Sequence, residues 1–140
     1  MLSVNSARPP VGSTSRCMTV FSDGEDQGSH AAITDVEHRL QASDVTLYMI
    51  GQGRGVEVEA LKAVMHRLVE PTGGLALFTD NIDQLHIAFS DLLEELSNQY
   101  LLGYESTNTK RDDVFRKIAL HVDGQSRVRA RQGYRAVAPK

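Results

Sequence analysis

The sequence predicts an α/β fold: part of a doubly wound parallel sheet with flanking helices, followed by a C-terminal antiparallel β extension. Three observations carry this expectation. Short apolar runs at 17–21, 45–50 and 75–78 are each followed by a segment whose apolar residues fall three and four apart, the strand–helix alternation of a parallel sheet. The run at 45–50 is continuous rather than alternating, as a strand covered on both faces requires. After Gln99 the apolar period becomes two, which belongs to strands with one wet face.

Residues 1–16, with Pro9-Pro10 and no apolar period, read as a disordered lead-in. Residues 17–21 (CMTVF) form a β-branched and aromatic run ended by Ser22-Asp23-Gly24. This predicts a buried strand entering a loop and makes Cys17 an inert core thiol. Ser29 is placed to cap the first helix, whose buried stripe is Ile33, Val36 and Leu40. The second strand, 45–50, runs into the turn Gly51-Gln52-Gly53-Arg54-Gly55. A helix follows with Leu61, Val64 and Leu68 as its stripe, Glu57 and Glu59 near its positive end, and Pro71 with Gly73-Gly74 as its stop. The third strand is 75–78. Asp80 or Asn81 caps a longer helix that keeps its period through Ile82, Leu85, Phe89, Leu92, Leu93 and Leu96 up to Asn98.

Residues 17–99 therefore make up the α/β part, and 100–137 a β extension packed on the same domain. In the extension Ile118, Leu120 and Val122 alternate with polar neighbours, and Asp123-Gly124 offers a tight hairpin turn. Arg127, Arg129 and Arg131 then alternate with small apolar residues, as on an edge strand protected by charge. Tyr100 and Tyr104 are expected to pack at the join between the last helix and the extension.

Composition narrows the function classes. A chain of 140 residues, 41% hydrophobic and 24% charged, fits one modest globular domain. No run approaches the ~18 apolar residues of a membrane helix, and the first residues lack the basic start and apolar core of a signal peptide. No membrane insertion is expected. A single cysteine, Cys17, excludes an internal disulfide and any multi-cysteine metal site. The net charge of −3 conceals a split: residues 1–109 hold 6 Lys and Arg against 15 Asp and Glu, residues 110–140 hold 9 against 3. A basic hairpin laid beside an acidic body accounts for it. Nucleic acid is not an expected partner, because neither an aromatic platform nor a recognition helix accompanies the arginines.

The segment richest in chemistry is CMTVFSDGEDQGSH, residues 17–30. Mg²⁺ takes oxygen ligands, and an Asp just beyond a parallel strand supplies one. Asp23 is such a residue, Gly24 frees the backbone to turn, and Glu25 and Asp26 add negative potential. Read from the residues alone, Asp-Gly at a strand end is also ordinary turn chemistry. Gly51, Gly53 and Gly55 suggest a phosphate-binding turn, but their spacing misses both G-x-G-x-x-G and the P-loop. His30, His38, His66, His86 and His121 show no metalloprotease spacing and read as surface residues. Ser22 precedes an acidic cluster rather than a base, so no catalytic residue can be named and no enzyme is expected.

In order along the chain, VFSDGEDQGS, TLYMIGQGRG, LKAVMHRLVEPTGGLALFTDNIDQL, LSNQYLLGYESTNTKRDDVFRKIALHV and RVRARQGYRA closely resemble the second half of a von Willebrand factor type A domain. The likeness is to the bacterial branch, described from acidobacteria, with a short β extension after its last helix, and it runs from about Cys17 to about Ala136. It implies a Rossmann-like sheet, a protein-interaction or adhesion function, and a metal-ion-dependent adhesion site at the carboxyl ends of the strands. In that family the site is built from an Asp-x-Ser-x-Ser loop, a Thr in a second loop and an Asp in a third. Asp23 matches the third-loop Asp; Ser22 and Gly24 would shape its loop, and Asp26 or Glu25 would act through water.

No Asp-x-Ser-x-Ser occurs in the 140 residues. The expectation is therefore a truncated domain with an incomplete site, with Mg²⁺ held only in a complete domain and no cofactor for this chain alone. Its partner would be another protein, or a second copy meeting an open sheet edge. Exported relatives imply an extracytoplasmic location for full-length members, which this sequence itself does not fix. The alternative is a nucleotide- or phosphate-binding domain that uses the Gly51 to Gly55 turn.

Overall fold

A computed structural model describes residues 16–23, 28, 30–53, 57–125 and 128–137. The expected lead-in, apart from Arg16, and the expected cap Ser29 lie outside the described residues. The fold is mixed α/β, in the order β1 (Arg16–Ser22), α1 (Ile33–Ala42), β2 (Val45–Gln52), α2 (Glu57–Val69), β3 (Ala76–Thr79), α3 (Leu85–Ser97), β4 (Phe115–Lys117) and β5 (Gly133–Arg135). The first three strands form a parallel sheet in the order β1-β2-β3, and β4 and β5 form a separate antiparallel pair.

The continuous apolar run of β2 has a direct explanation. Successive side chains on a strand point to opposite faces. Leu47 and Met49 pack with Met65, Leu68 and Val69 of α2 and with Ile33, Val36 and Leu40 of α1. Tyr48 and Ile50 pack with Ala88 and Leu92 of α3. Helices thus cover both faces of β2, and two apolar clusters meet at this strand. The stripe of α1 is the expected one, whereas that of α2 is shifted by one residue. Met65 is fully buried and Val64 is 40% exposed, because Leu61, Met65 and Leu68 stand four and three apart on the face that meets β2. On α3 the stripe is Leu85, Ala88, Leu92 and Leu96; Phe89 and Leu93 flank it and are exposed.

The expectation of a buried first strand is corrected. Cys17 is exposed, Met18 is 50% and Phe21 56% exposed, and only Val20 joins a core cluster. The reason is topological: among the described residues β1 is an edge strand, and α3 packs on residues of β2 and of 75–77 rather than on β1.

The close of α2 fixes its distance from β2. A 3₁₀ turn, Glu70–Thr72, follows with Pro71 in its first positions, and Gly73 takes a left-handed φ of 80°. The buried Thr72 hydroxyl donates to the Val69 carbonyl at 2.8 Å and accepts from the Leu47 amide at 3.0 Å. Next to it, a Cβ on Gly74 would fall 1.8 Å from the Leu47 carbonyl oxygen. Only glycine allows this approach of backbone to backbone.

The extension is antiparallel, but its strands are shorter than the alternation suggests. Phe115 pairs with Arg135, and the Ile118 amide donates to the Gln132 carbonyl at 2.8 Å. The Asp123-Gly124 turn forms, with Gln125 donating to Val122 at 3.1 Å and Gly124 at φ 76°. It does not close a tight hairpin, because the returning segment bonds to the α/β part. The Gln132 amide donates to the Pro71 carbonyl at 3.2 Å, and the Arg131 guanidinium donates to Ser43 and Val45 carbonyls at 2.7 and 2.6 Å. Of the two tyrosines expected at the join, Tyr104 meets Tyr134 edge to face at 6.3 Å between ring centres, whereas Tyr100 is 90% exposed. Among the described residues no helix is long and apolar enough to cross a membrane.

Candidate functional site

Parallel strands gather their carboxyl ends on one side of a sheet, and loops leaving those ends are where ligands of open α/β sheets bind. Here the register sets Ser22 beside Gly51, Gly51 beside Phe78 and Gln52 beside Thr79. The Gly53 amide donates to the Thr79 carbonyl at 3.4 Å, and the Asp23 carbonyl lies 3.8 Å from the place of a Cβ on Gly53. Asp23 is exposed at this rim, directly after the edge strand, and Ser22 before it is half-buried. Gly24, Glu25 and Asp26 lie outside the described residues. Among the described residues no three His, Cys, Asp or Glu side chains gather into a metal-binding group.

Gly51, expected to open the turn, instead lies within β2 and has a packing role. A Cβ on Gly51 would stand 2.7 Å from Phe78 Cε1 and 2.8 Å from Met65 Sδ, so the missing side chain makes room for the core between β2, β3 and α2. Gly53 would place a Cβ 3.3 Å from Val58. Arg54 and Gly55 lie outside the described residues.

Beside the rim, β3 and α3 border an open cleft of about 220 Å³, lined by Leu77, Phe78, Thr79, Gln84, Ile87 and Asp91 among others. Thr79 is 4% exposed, and its Oγ1 has no hydrogen-bond partner among the described residues. Sequence reasoning missed it, since a β-branched residue ending a strand carries no mark of an unmet hydroxyl.

Away from the rim, polar groups tie the elements together. Burial pushes the Tyr48 phenol above its ordinary pKa, with Glu95 adding to the effect, and its oxygen accepts from Gln99 Nε2. Glu95 is paired with Arg129 at 2.8 Å. Burial holds the Arg131 guanidinium below its ordinary pKa, opposed by Asp44. The arginines expected as edge protection are therefore anchors at 129 and 131, while Arg127 lies outside the described residues. His38 reaches Asp113 at 3.3 Å, His66 reaches Glu70 at 3.5 Å and His121 reaches Asp123 at 3.4 Å, each an outer contact.

Comparison with protein-family models, with curated proteins and with solved structures finds no match. Among the described residues, exposed carboxylates directly follow β1 (Asp23) and β3 (Asp80) at the carboxyl end of the sheet, and β1 shows exposed apolar side chains.

Proposed function

We propose that this chain is a non-enzymatic protein-interaction module, the C-terminal part of a von Willebrand factor type A domain with its doubly wound, Rossmann-like sheet. It engages a protein partner through the edge of β1. The observation that carries the reading is the placement of Asp23 directly after β1, on the strand where the described sheet stops pairing. A site of that family needs further oxygens from loops that these 140 residues do not contain, so Asp23 alone does not hold Mg²⁺ at useful strength.

Two titrations of the ¹⁵N-labelled chain test the reading. Mg²⁺ is expected to produce no saturable, Asp23-dependent NMR shift below millimolar concentration; a saturable shift abolished in Asp23→Ala overturns the incomplete site. A synthetic peptide of residues 45–52, the strand that β1 already accepts on its other side, is expected to shift β1 amides. Shifts confined to other elements would overturn β1 as the interacting edge.

A further inference from the structure

Phenol rings in contact differ chemically from isolated ones, because two phenoxyl radicals formed side by side couple with each other. The chain has four tyrosines, and their surroundings differ. Tyr48 of β2 is buried against α3, and its oxygen accepts from Gln99 Nε2. Tyr100 is 90% exposed. Tyr104 and Tyr134 meet edge to face, with 6.3 Å between ring centres and 63° between ring planes, a separation at which two rings touch.

The surroundings hold this pair in place. Tyr134 stands on β5 directly opposite Arg116 of β4, and side chains directly opposite in an antiparallel pair share a face. The Arg116 guanidinium lies 6.0 Å from the centre of the Tyr134 ring. It also donates to the Asn108 carbonyl at 2.7 Å, to the Lys110 carbonyl and to Asp112 at 3.2 Å, so the segment that follows Tyr104 is fastened to the same arginine. Hydrogen bonds from Ser106 and Arg116 hold the Tyr134 phenol below its ordinary pKa, with Tyr104 contributing another. Burial and the neighbouring Tyr134 hold the Tyr104 phenol above its own. Tyr134 therefore parts with its proton more readily than Tyr104 does, and a phenolate is more easily oxidised than a phenol.

We infer that Tyr104 and Tyr134 form an oxidative cross-linking site, which a peroxidase-type one-electron oxidant joins through a carbon–carbon bond that staples the Tyr104 segment to β5. Each phenol gives one electron to the oxidant and its hydroxyl proton to water. The two phenoxyl radicals then pair their electrons in a bond between ring carbons ortho to the oxygens. The hydrogens on those carbons leave as protons and the two oxygens take up protons, which restores both phenols. In sum the chain loses two hydrogen atoms, and one hydrogen peroxide becomes two waters. Tyr104 is half-exposed and lies outside the helices and strands, so it reaches the oxidant and has the side-chain freedom to turn an edge-to-face contact into a bond.

The test treats the dilute wild-type chain with a haem peroxidase and hydrogen peroxide, while N-acetyltyrosine amide is oxidised in parallel to show that the oxidant works. Trypsin places Tyr104, together with Tyr100, in peptide 68–110 and Tyr134 in peptide 132–135. The expected product is a monomer in which these two peptides are joined, lighter than their sum by two hydrogens and fluorescent as a biphenol. Joining is expected to persist in Tyr100→Phe and to fall to background in Tyr104→Phe and Tyr134→Phe, which keep the ring and are expected to keep the far-UV spectrum. The joined chain is expected to unfold at a higher urea concentration, because a cross-link restricts the unfolded chain. A wild-type chain that stays unjoined, or that joins only between molecules, overturns the inference. Joining that survives Tyr104→Phe runs through Tyr100 and overturns it as well. A joined chain with an unchanged urea midpoint overturns the staple.

Discussion

Two buried threonines with opposite hydrogen-bond fates give the sharpest predictions at the scale of single residues. Thr72 both donates and accepts, to Val69 and from Leu47, so Thr72→Val leaves the Leu47 amide without a partner. It is expected to lower stability by about 1–3 kcal/mol in urea unfolding, the penalty of an unmet buried donor. Thr79 Oγ1 has no partner among the described residues, so the isosteric Thr79→Val removes an unmet group and is expected to be neutral or stabilising. A loss above 1 kcal/mol there would show that the hydroxyl is satisfied in solution. Gly74 is a third case, since its absent Cβ would overlap the Leu47 carbonyl, and Gly74→Ala is expected to prevent folding or cost more than about 3 kcal/mol. The sequence shows Gly73-Gly74 as a helix stop, which it is; that Gly74 also touches β2 depends on an element 27 positions away and leaves no local mark.

Between elements, the decisive contacts are those that fasten the extension and join the first two helices. Arg131 donates to carbonyls at the end of α1 and the start of β2. Arg131→Ala is expected to cost roughly 1.5–3 kcal/mol, as for hydrogen bonds from a charged donor, and to speed hydrogen exchange at β5. Arg131→Lys keeps the charge without the planar fork and recovers only part of the loss. On the other side of α1, Glu37 binds Arg67 of α2 through both carboxylate oxygens. The hydrogen bond from Arg67 holds the Glu37 carboxyl below its ordinary value of 4.5. A folded value below the unfolded one stabilises above the unfolded value and loses that stability as pH falls through the folded one. Glu37→Gln is therefore expected to flatten the acid limb of the stability profile below about pH 4.5 and to leave its shape near neutrality unchanged; an unaltered acid limb would show the pair to be open in solution. Periodicity reveals that these helices exist and which stripe α1 buries, yet on α2 it points to Val64 rather than Met65. Both residues are apolar, and the choice is made by the surface of β2, which the α2 segment alone does not contain.

Across the whole molecule, the separation of an acidic body from a basic tail is the feature of the sequence most open to a functional reading, and the structure gives it an internal use. Among the described arginines of the tail, Arg111 donates to the Val137 carbonyl, Arg116 to the Asn108 and Lys110 carbonyls and to Asp112, Arg129 to Glu95, Arg131 to the end of α1, and Arg135 to Gln41 and the Asp113 carbonyl. A groove that binds phosphates must present its cations to solvent and release counterions when it does so. Guanidinium groups already committed to carbonyls and carboxylates have fewer donors left to offer. Fluorescence anisotropy with single-stranded and duplex DNA is accordingly expected to show weak binding at 50 mM salt that vanishes by 200 mM. Tight binding with a steep salt slope, lost in Arg129→Ala, would mean that the tail leaves the body to meet its ligand. The legibility of the fold follows the same division. Strand and helix order rests on local periodicity and survives translation into three dimensions, whereas the exposure of β1 and the anchoring role of the arginines depend on which surfaces meet. For the same reason Asp23 could be placed at a rim from sequence, whereas the position of β1 became visible once the order β1-β2-β3 left one side of it without a strand among the described residues.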